Sequence, residues 1–428
     1  MSRASDAPAA PVPDAGRGSF LAAYGIWIAL AIVIAALPHI FSSGLALSMM
    51  SVMGTMIVFA LSYNMLLGQT GLLSFGHAVF FGLGGFFAVH LMNALSGGEA
   101  PMPLIAFPLV GALAGLVFGI VVGAVATRRA GTAFAMITLG IGELVASSAL
   151  ILRSFFGGEE GISTDRTDLI QPFGLTFGPQ IEVYYLIGAW CFVSMAAMYA
   201  LTRTPFGRIC NAVRENPERA RFIGYNTQTV RFIAFSLSGL FAGIAGALAA
   251  INFEIMNSAQ LGAAESGSVI LMTYIGGIGN FAGPVIGAIL VTYLQFTLSD
   301  ITDVWQLYFG LLFIAVVMFA PNGIAGLLTL QEPLIRAGNL GRVSLYYPLA
   351  VVPALVALAG FSLMVEMTYR LSVGGSEMSF LYVPLNARAP LPWLAAIVLL
   401  GGGGWLFLRG ARKVGQVYGD AVQEGLRR

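Results

Sequence analysis

Glu143 stands alone in the apolar run "TLGIGELVAS". A carboxylate so placed can line a watery path or accept a hydrogen bond from a neighbouring helix, and both uses stay open. A second group of polar residues interrupts "NMLLGQTGLLSFGHAVFFGLGG": Asn64, Gln69, Thr70, Ser74 and His77. Thr138 precedes Glu143 by one helical turn and one residue and is expected close to the same face. A third group is compact and charged. "RICNAVRENPERARFIGYNTQTVR", starting at Arg208 and ending at Arg231, also carries Arg214, Glu215, Glu218, Arg219 and Arg221 between long apolar runs. No nucleophile–base pair accompanies these residues, and His77 has no second His or Cys at ligand spacing, so neither an enzyme nor a metal site is indicated.

The elements that must position them are membrane helices. The chain is 57% hydrophobic and 10% charged, against roughly 25% charged in soluble domains. Apolar runs of about 20 residues recur, the length a helix needs to cross about 30 Å of hydrocarbon. They fall near 22–40, 44–66, 77–95, 103–126, 132–152, 183–202 and 232–252, then 267–277, 281–298, 304–320, 345–365 and 391–408. The fold class is therefore an all-α polytopic bundle of about 10–12 membrane segments, some broken or re-entrant. The run at 267–277 is too short to span unless it is tilted or re-entrant. Residues 1–21, rich in Pro, Ala and Ser, read as a disordered lead-in. With both termini inside, most of the 21 Lys and Arg residues fall on the cytoplasmic side, while outer loops carry Glu159, Glu160, Asp165, Asp168 and Glu182. The net charge of +1 points to no nucleic-acid partner.

Local chemistry in the charged segment argues for more than a solvated loop. Thr204 is placed as a helix N-cap with Pro205 at the first position, and Asn216 and Pro217 repeat the signal. Glu218 suits the positive end of the second helix, and Gly224 suits a left-handed cap at its close. Two short helices with a bend are expected, with Ala212, Ala220, Phe222 and Ile223 as an apolar side ringed by arginines.

"TPFGRICNAVRENPERARFIGYN" resembles the coupling loop of the branched-chain amino acid permease family of ABC importers, with "ERARFIG" similar to the E-A-A-three-residues-G signature of such permeases. Arg219 stands where the first alanine would be. "LSYNMLLGQTGLLSFGHAVFFGLGGFFAV" and "YIGGIGNFAGPVIGAIL" fit the same family. "FAMITLGIGEL" followed by "GGEEGIS" resembles the larger of its two permease subunits. The resemblance covers roughly 22–330 and leaves 331–428 as an extension with two extra helices and a basic tail. It implies that Pro205, Gly207, Arg208, Arg214, Glu215, Asn216, Pro217, Glu218, Ala220 and Gly224 belong to an ATPase-coupling segment.

Asn64, Gln69, Ser74, His77, Thr138, Glu143 and Asn280 are the candidates for the translocation path, with helix packing as the alternative use of each. The resemblance also implies partners in the bilayer and on both sides of it: a second permease subunit, two cytoplasmic ATPase subunits and an extracellular or periplasmic solute-binding protein. This chain has one lysine, Lys413, followed by Val414 rather than Ser or Thr, so it has no phosphate-gripping loop, and ATP with its Mg²⁺ would be bound by the ATPase chain.

Scarce charge within the spans suits small neutral solutes such as zwitterionic aliphatic amino acids; urea, amides and small organic acids are alternatives. A stand-alone secondary transporter is a further alternative, but Glu143 and Glu366 are too few for an ion relay. The stretch "GGIGNFAGPVIG", which holds Asn280, resembles the earlier glycine-rich break and suggests two related halves.

Overall fold

The computed structural model describes residues 18–96, 102–169, 174–320, 322–331, 340–380 and 383–427. Residues 1–17 of the expected lead-in and residues 332–339 lie outside the described residues, and Gly18 already belongs to the first helix. Among the described residues, eight helices are long and apolar enough to cross a membrane, with three shorter apolar helices beside them. This is the expected all-α polytopic fold.

The described residues form two compact units, one ending at Gly267 and one starting at Ser268. The first contains α1 (Gly18–Ile40), α2 (Gly44–Thr70), α3 (Ala78–Ala94), α4 (Phe107–Ala126), α5 (Thr132–Ile151), the short α6 (Arg153–Phe156), α7 (Gln180–Arg203), α8 (Pro205–Glu215), α9 (Pro217–Phe222) and α10 (Thr227–Phe253). α10 is its axis. It packs against α2, α3 and α4, and 78% of its most apolar window is buried. Small residues let these backbones touch: a Cβ on Gly243 would lie 2.0 Å from the Gly111 carbonyl oxygen. A two-stranded antiparallel pair, β1 (Ile162–Ser163) with β2 (Ile255–Met256), joins the loop after α6 to the end of α10.

α11 (Ala263–Gly276) begins in the first unit and continues into the second. The second unit holds α12 (Ala282–Ile301), α13 (Trp305–Phe319), α14 (Gly323–Thr329), α15 (Leu340–Ser344), α16 (Pro348–Ser372) and α17 (Pro390–Arg427). A hairpin of β3 (Glu377–Phe380) and β4 (Val383–Asn386) connects α16 to α17, and these two helices pack along each other. α17 is much longer than its expected apolar run. It continues past Leu408 through Arg409, Arg412 and Lys413 as unbroken helix.

The two glycine-rich stretches fold differently, so their sequence likeness marks no local structural repeat. Residues 71–77 form an irregular seven-residue passage between α2 and α3 that opens with Gly71 at φ 70°, whereas 277–281 make a shorter turn in which Gly277 and Gly279 take positive φ.

Candidate functional site

The passage between α2 and α3 places much of the polar chemistry. Gly71 closes α2 with φ 70°, a conformation that costs a side chain little only when the residue is glycine. The chain then turns back alongside the helix it has just left. His77 lies level with Ser62, about 12 Å before the end of α2, and with Ser238, about 16 Å along α10. Backbone unwound at this depth must find partners within the protein. The Phe75 N–H donates to Thr138 Oγ1 at 3.2 Å, Tyr63 OH donates to the Ser74 carbonyl at 3.1 Å, and the Ala78 N–H donates to Ser266 Oγ at 3.0 Å. Gly76 sits so tightly on α5 that a Cβ there would lie 2.1 Å from the Thr138 carbonyl oxygen.

Four of the seven path candidates meet in this knot. Asn64 and Ser74 are buried, and their Oδ1 and Oγ have no hydrogen-bond partner. His77 is fully buried against Phe59, Tyr63 and Phe80, with Nε2 3.0 Å from Ser62 Oγ, so in this conformation it is a packed ring closed to solute. Thr138 is buried and holds the passage to α5. Gln69, in the last turn of α2, is half-buried with a sealed, unpartnered Oε1.

The other two candidates lie elsewhere. Glu143 is exposed on α5, and the expectation that it shares a face with Thr138 does not hold: five residues at 100° each leave them about 140° apart. Asn280 is exposed in the turn before α12, where its Oδ1 accepts from the Ala282 N–H at 3.1 Å.

The charged segment forms the two capped helices. Thr204 Oγ1 accepts from the Gly207 N–H at 3.3 Å, and Asn216 Oδ1 accepts from the Arg219 N–H at 2.9 Å, with Pro205 and Pro217 opening α8 and α9. Gly207 is buried in the α7–α8 corner, where a Cβ would lie 2.6 Å from the Leu201 carbonyl oxygen. Gly224 follows α9 with φ 94°.

The apolar residues of the segment separate into two faces instead of one. Cys210, Val213 and Ala220 pack inward against Val230 and Ala234 of α10, while Phe222 is 90% exposed and Ile223 65%. Ala220 and Phe222 lie two residues apart on α9, about 200° around the helix, so they face opposite ways. Arg208, Glu215 and Glu218 are exposed. Arg214 reaches across to α2 and donates to the carbonyl of Gly68, a cation on the negative end of that helix, while its Cγ lies beside Gly71. Burial pushes the Cys210 thiol up to about 12, so it stays a neutral packing group.

Two residues escaped the sequence reading. Arg166, in the loop between β1 and α7, is 9% exposed. Its Nε donates to the Phe177 carbonyl at 2.7 Å and its Nη1 to the Ile251 and Asn252 carbonyls at 3.2 and 3.3 Å, beside Glu254 at 3.8 Å. The other is Glu265, in the first turn of α11, whose Oε1 is buried without a partner. The shortness of the 267–277 run was the available signal.

The family model described as "branched-chain amino acid transport system / permease component" matches residues 45–321, more than half of the chain. The chain belongs to this permease family. The matched range begins in α2 and ends just after α13, leaving α16 and α17 beyond it. Among curated relatives, the high-affinity branched-chain amino acid transport system permease protein LivM of Escherichia coli is 28% identical over 333 residues, covering 73% of this chain and 76% of that protein. The permease protein BraD of Pseudomonas aeruginosa is 24% identical, covering 65% of this chain and 93% of its own length. The xylose transport system permease protein XylH of Escherichia coli is 32% identical over 119 residues, 26% of this chain and 30% of its own. No solved structure matches the chain. The protein is thus a multi-pass permease component of an ABC transporter of the branched-chain and sugar type, in the bacterial inner membrane.

Proposed function

We propose that this permease is the larger membrane subunit of an ATP-driven importer for branched-chain or other small neutral amino acids. It pairs with a second permease subunit, two cytoplasmic ATPase subunits and an external solute-binding protein, with its own termini in the cytoplasm. One observation carries the reading: a twice-capped arginine segment offers Phe222 and Ile223 outward while its Arg214 grips α2 at the foot of the unwound passage. A push on α8 and α9 from an ATPase reaches Gly68, and from there the knot of Asn64, Ser74 and His77. Residues 331–428 act as a peripheral membrane appendage to the 22–330 transport domain. Glu143, exposed on a membrane helix, faces either the path or the second permease, since facing lipid would be costly.

The test is transport by the complex isolated from native membranes and reconstituted in liposomes. ATP-dependent accumulation of leucine is expected in the wild type. Arg208→Glu should keep insertion and pairing but uncouple ATP hydrolysis from uptake. Accumulation of leucine by this chain alone, without any ATPase, would overturn the reading; accumulation of urea or a small carboxylate in place of leucine would reassign the substrate.

A further inference from the structure

Glu366 lies on α16, beyond the range matched by the family model, yet its bonds run back into that range. Thr302 Oγ1 donates to Glu366 Oε1 at 2.6 Å, and Tyr308 OH donates to the same oxygen at 3.1 Å. Tyr308 OH also lies 3.0 Å from Ser362 Oγ, and Tyr369 OH donates to Asp303 at 3.3 Å. These ties join the α12–α13 corner to the last turns of α16. Beside them lies a cavity of about 1030 Å³, bounded by α12, α13, α16 and β3.

One end of the cavity is charged and the rest is apolar. Asp300, Asp303, Glu366 and Arg370 stand at the charged end, while Leu294, Leu298, Leu311, Phe319, Leu355 and Leu358 form the walls. From Tyr308 to Phe319 on α13, and from Glu366 to Leu355 on α16, these walls run about 16 Å. That is half of the roughly 30 Å of hydrocarbon, the depth of one leaflet. The volume is at the top of the roughly 300–1,000 Å³ range of small-molecule sites, and apolar space of this kind stays free of water. Within this chain only 11% of the most apolar window of α16 is buried, so the wall is open from the side. A partner's membrane helix would continue into the opposite leaflet, where the lining stops. The charges select further. Three carboxylates stand beside one guanidinium, and among the described residues none of the four has an ion pair. Both bonds to Glu366 end on Oε1 and leave Oε2 open to another donor. The surplus is negative, which repels anionic headgroups and attracts a cationic one.

We propose that this cavity holds one phospholipid with a zwitterionic amine headgroup of the ethanolamine type. Its ammonium sits among Asp300, Asp303 and Glu366, its phosphate meets Arg370, and its acyl chains lie along Leu311 and Leu355. The site is independent of the transported solute and goes beyond the import reading. It gives the residues past the family-matched range a chemical role: α16 completes a lipid site whose other long walls, α12 and α13, belong to that range.

The complex from native membranes is placed in nanodiscs of equal parts dioleoyl phosphatidylethanolamine and dioleoyl phosphatidylglycerol. It is then extracted with mild detergent and weighed by native mass spectrometry. Wild type should retain the ethanolamine lipid at least about tenfold over the glycerol lipid, the scale of one charge-assisted contact. Asp300→Asn combined with Asp303→Asn should narrow that preference to within about threefold. Ala359→Trp, which fills the apolar part of the cavity, should retain one lipid fewer than wild type, with thermal unfolding confirming that it folds. Ala315→Trp, on the α13 wall, repeats the test if the first variant does not fold. Leu311 replaced by a benzophenone amino acid should, on illumination, gain the mass of a lipid. No retained lipid in wild type, or an equal or stronger hold on the glycerol lipid, overturns the proposal. So does an unchanged preference in the double asparagine variant, retention untouched by the tryptophan, or Leu311 crosslinked to another membrane protein.

Discussion

The two ends of α10 are held in opposite ways, with an arginine beside each. At one end, α8 and α9 lie against Val230 and Ala234, and Arg214 is partly exposed with one carbonyl partner on α2. At the other, Arg166 is buried among the carbonyls of Phe177, Gly178, Ile251 and Asn252, and Glu254 accepts its backbone N–H at 3.0 Å. Glu254 takes φ 55°, strained for a residue with a side chain, and the pairing of Ile162 with Met256 fastens the same corner. One end is a knob that can be pressed; the other is a clamp. Under the coupling proposed above, a rod moved at one end and fixed at the other would tilt and carry a push at the arginine segment to the knot beside Ser238.

The largest effect is expected at the clamp. Arg166→Leu strips the charge from four carbonyls and leaves Glu254 alone, a loss of about 3–5 kcal/mol by analogy with broken buried pairs. Folded yield and Tm of the purified complex should fall together, and Arg166→Lys should recover only part, because an ammonium cannot fork across several carbonyls. A stable, active Arg166→Leu variant would show that this end is not fixed.

The knob should respond more gently. Arg214→Ala removes one charge-assisted bond to Gly68, worth about 1–2 kcal/mol given the partial exposure of the guanidinium. Its signature is kinetic: more ATP hydrolysed per leucine moved, with assembly intact. If Arg214→Ala transports normally, motion passes from the segment to α10 by apolar packing alone. Phe222→Asp should leave Tm unchanged, since the ring is 90% exposed, but should weaken ATPase retention on a column by about thirtyfold, the scale of a central interface anchor.

The difference between the ends also explains what could be read from the sequence. The knob is written in local chemistry: Thr204, Pro205, Asn216 and Pro217 are start signals that work wherever they occur, and both helices begin there. The clamp is written in contacts between residues more than eighty positions apart, such as Arg166 with Ile251 and Asn252, and no window along the chain contains both partners. The spans themselves were legible from their length and apolarity. The level at which α3 and α11 begin was not, because hydropathy gives the extent of a run and not its depth. The apolar run at 267–277 thus starts four residues after the helix that carries it, and Glu265 lies in that helix's first turn. The inward turn of Ala220 and outward turn of Phe222 follow from their spacing: two positions apart on one helix they lie about 200° apart and cannot share a face.

The smallest effect concerns the inner face of the knob and tests whether it stays sealed during the cycle. Cys210 is 2% exposed, and its thiol titrates near 12 because burial disfavours the thiolate. Its folded pKa lies above the value of 9.0 expected without burial, so its contribution to stability is complete below pH 9 and declines as pH rises toward 12. Across pH 6–8 it should contribute no pH dependence, and N-ethylmaleimide applied to the resting complex should leave uptake unchanged, because neither the thiolate nor an open path to the sulfur is present. The same reagent applied during ATP turnover separates two kinds of motion. If α8 and α9 move with α10 as one body, Cys210 stays covered and unlabelled. If they hinge away from Val230 and Ala234, labelling rises with turnover, and the push reaches the membrane through Arg214 and Gly68 rather than through α10.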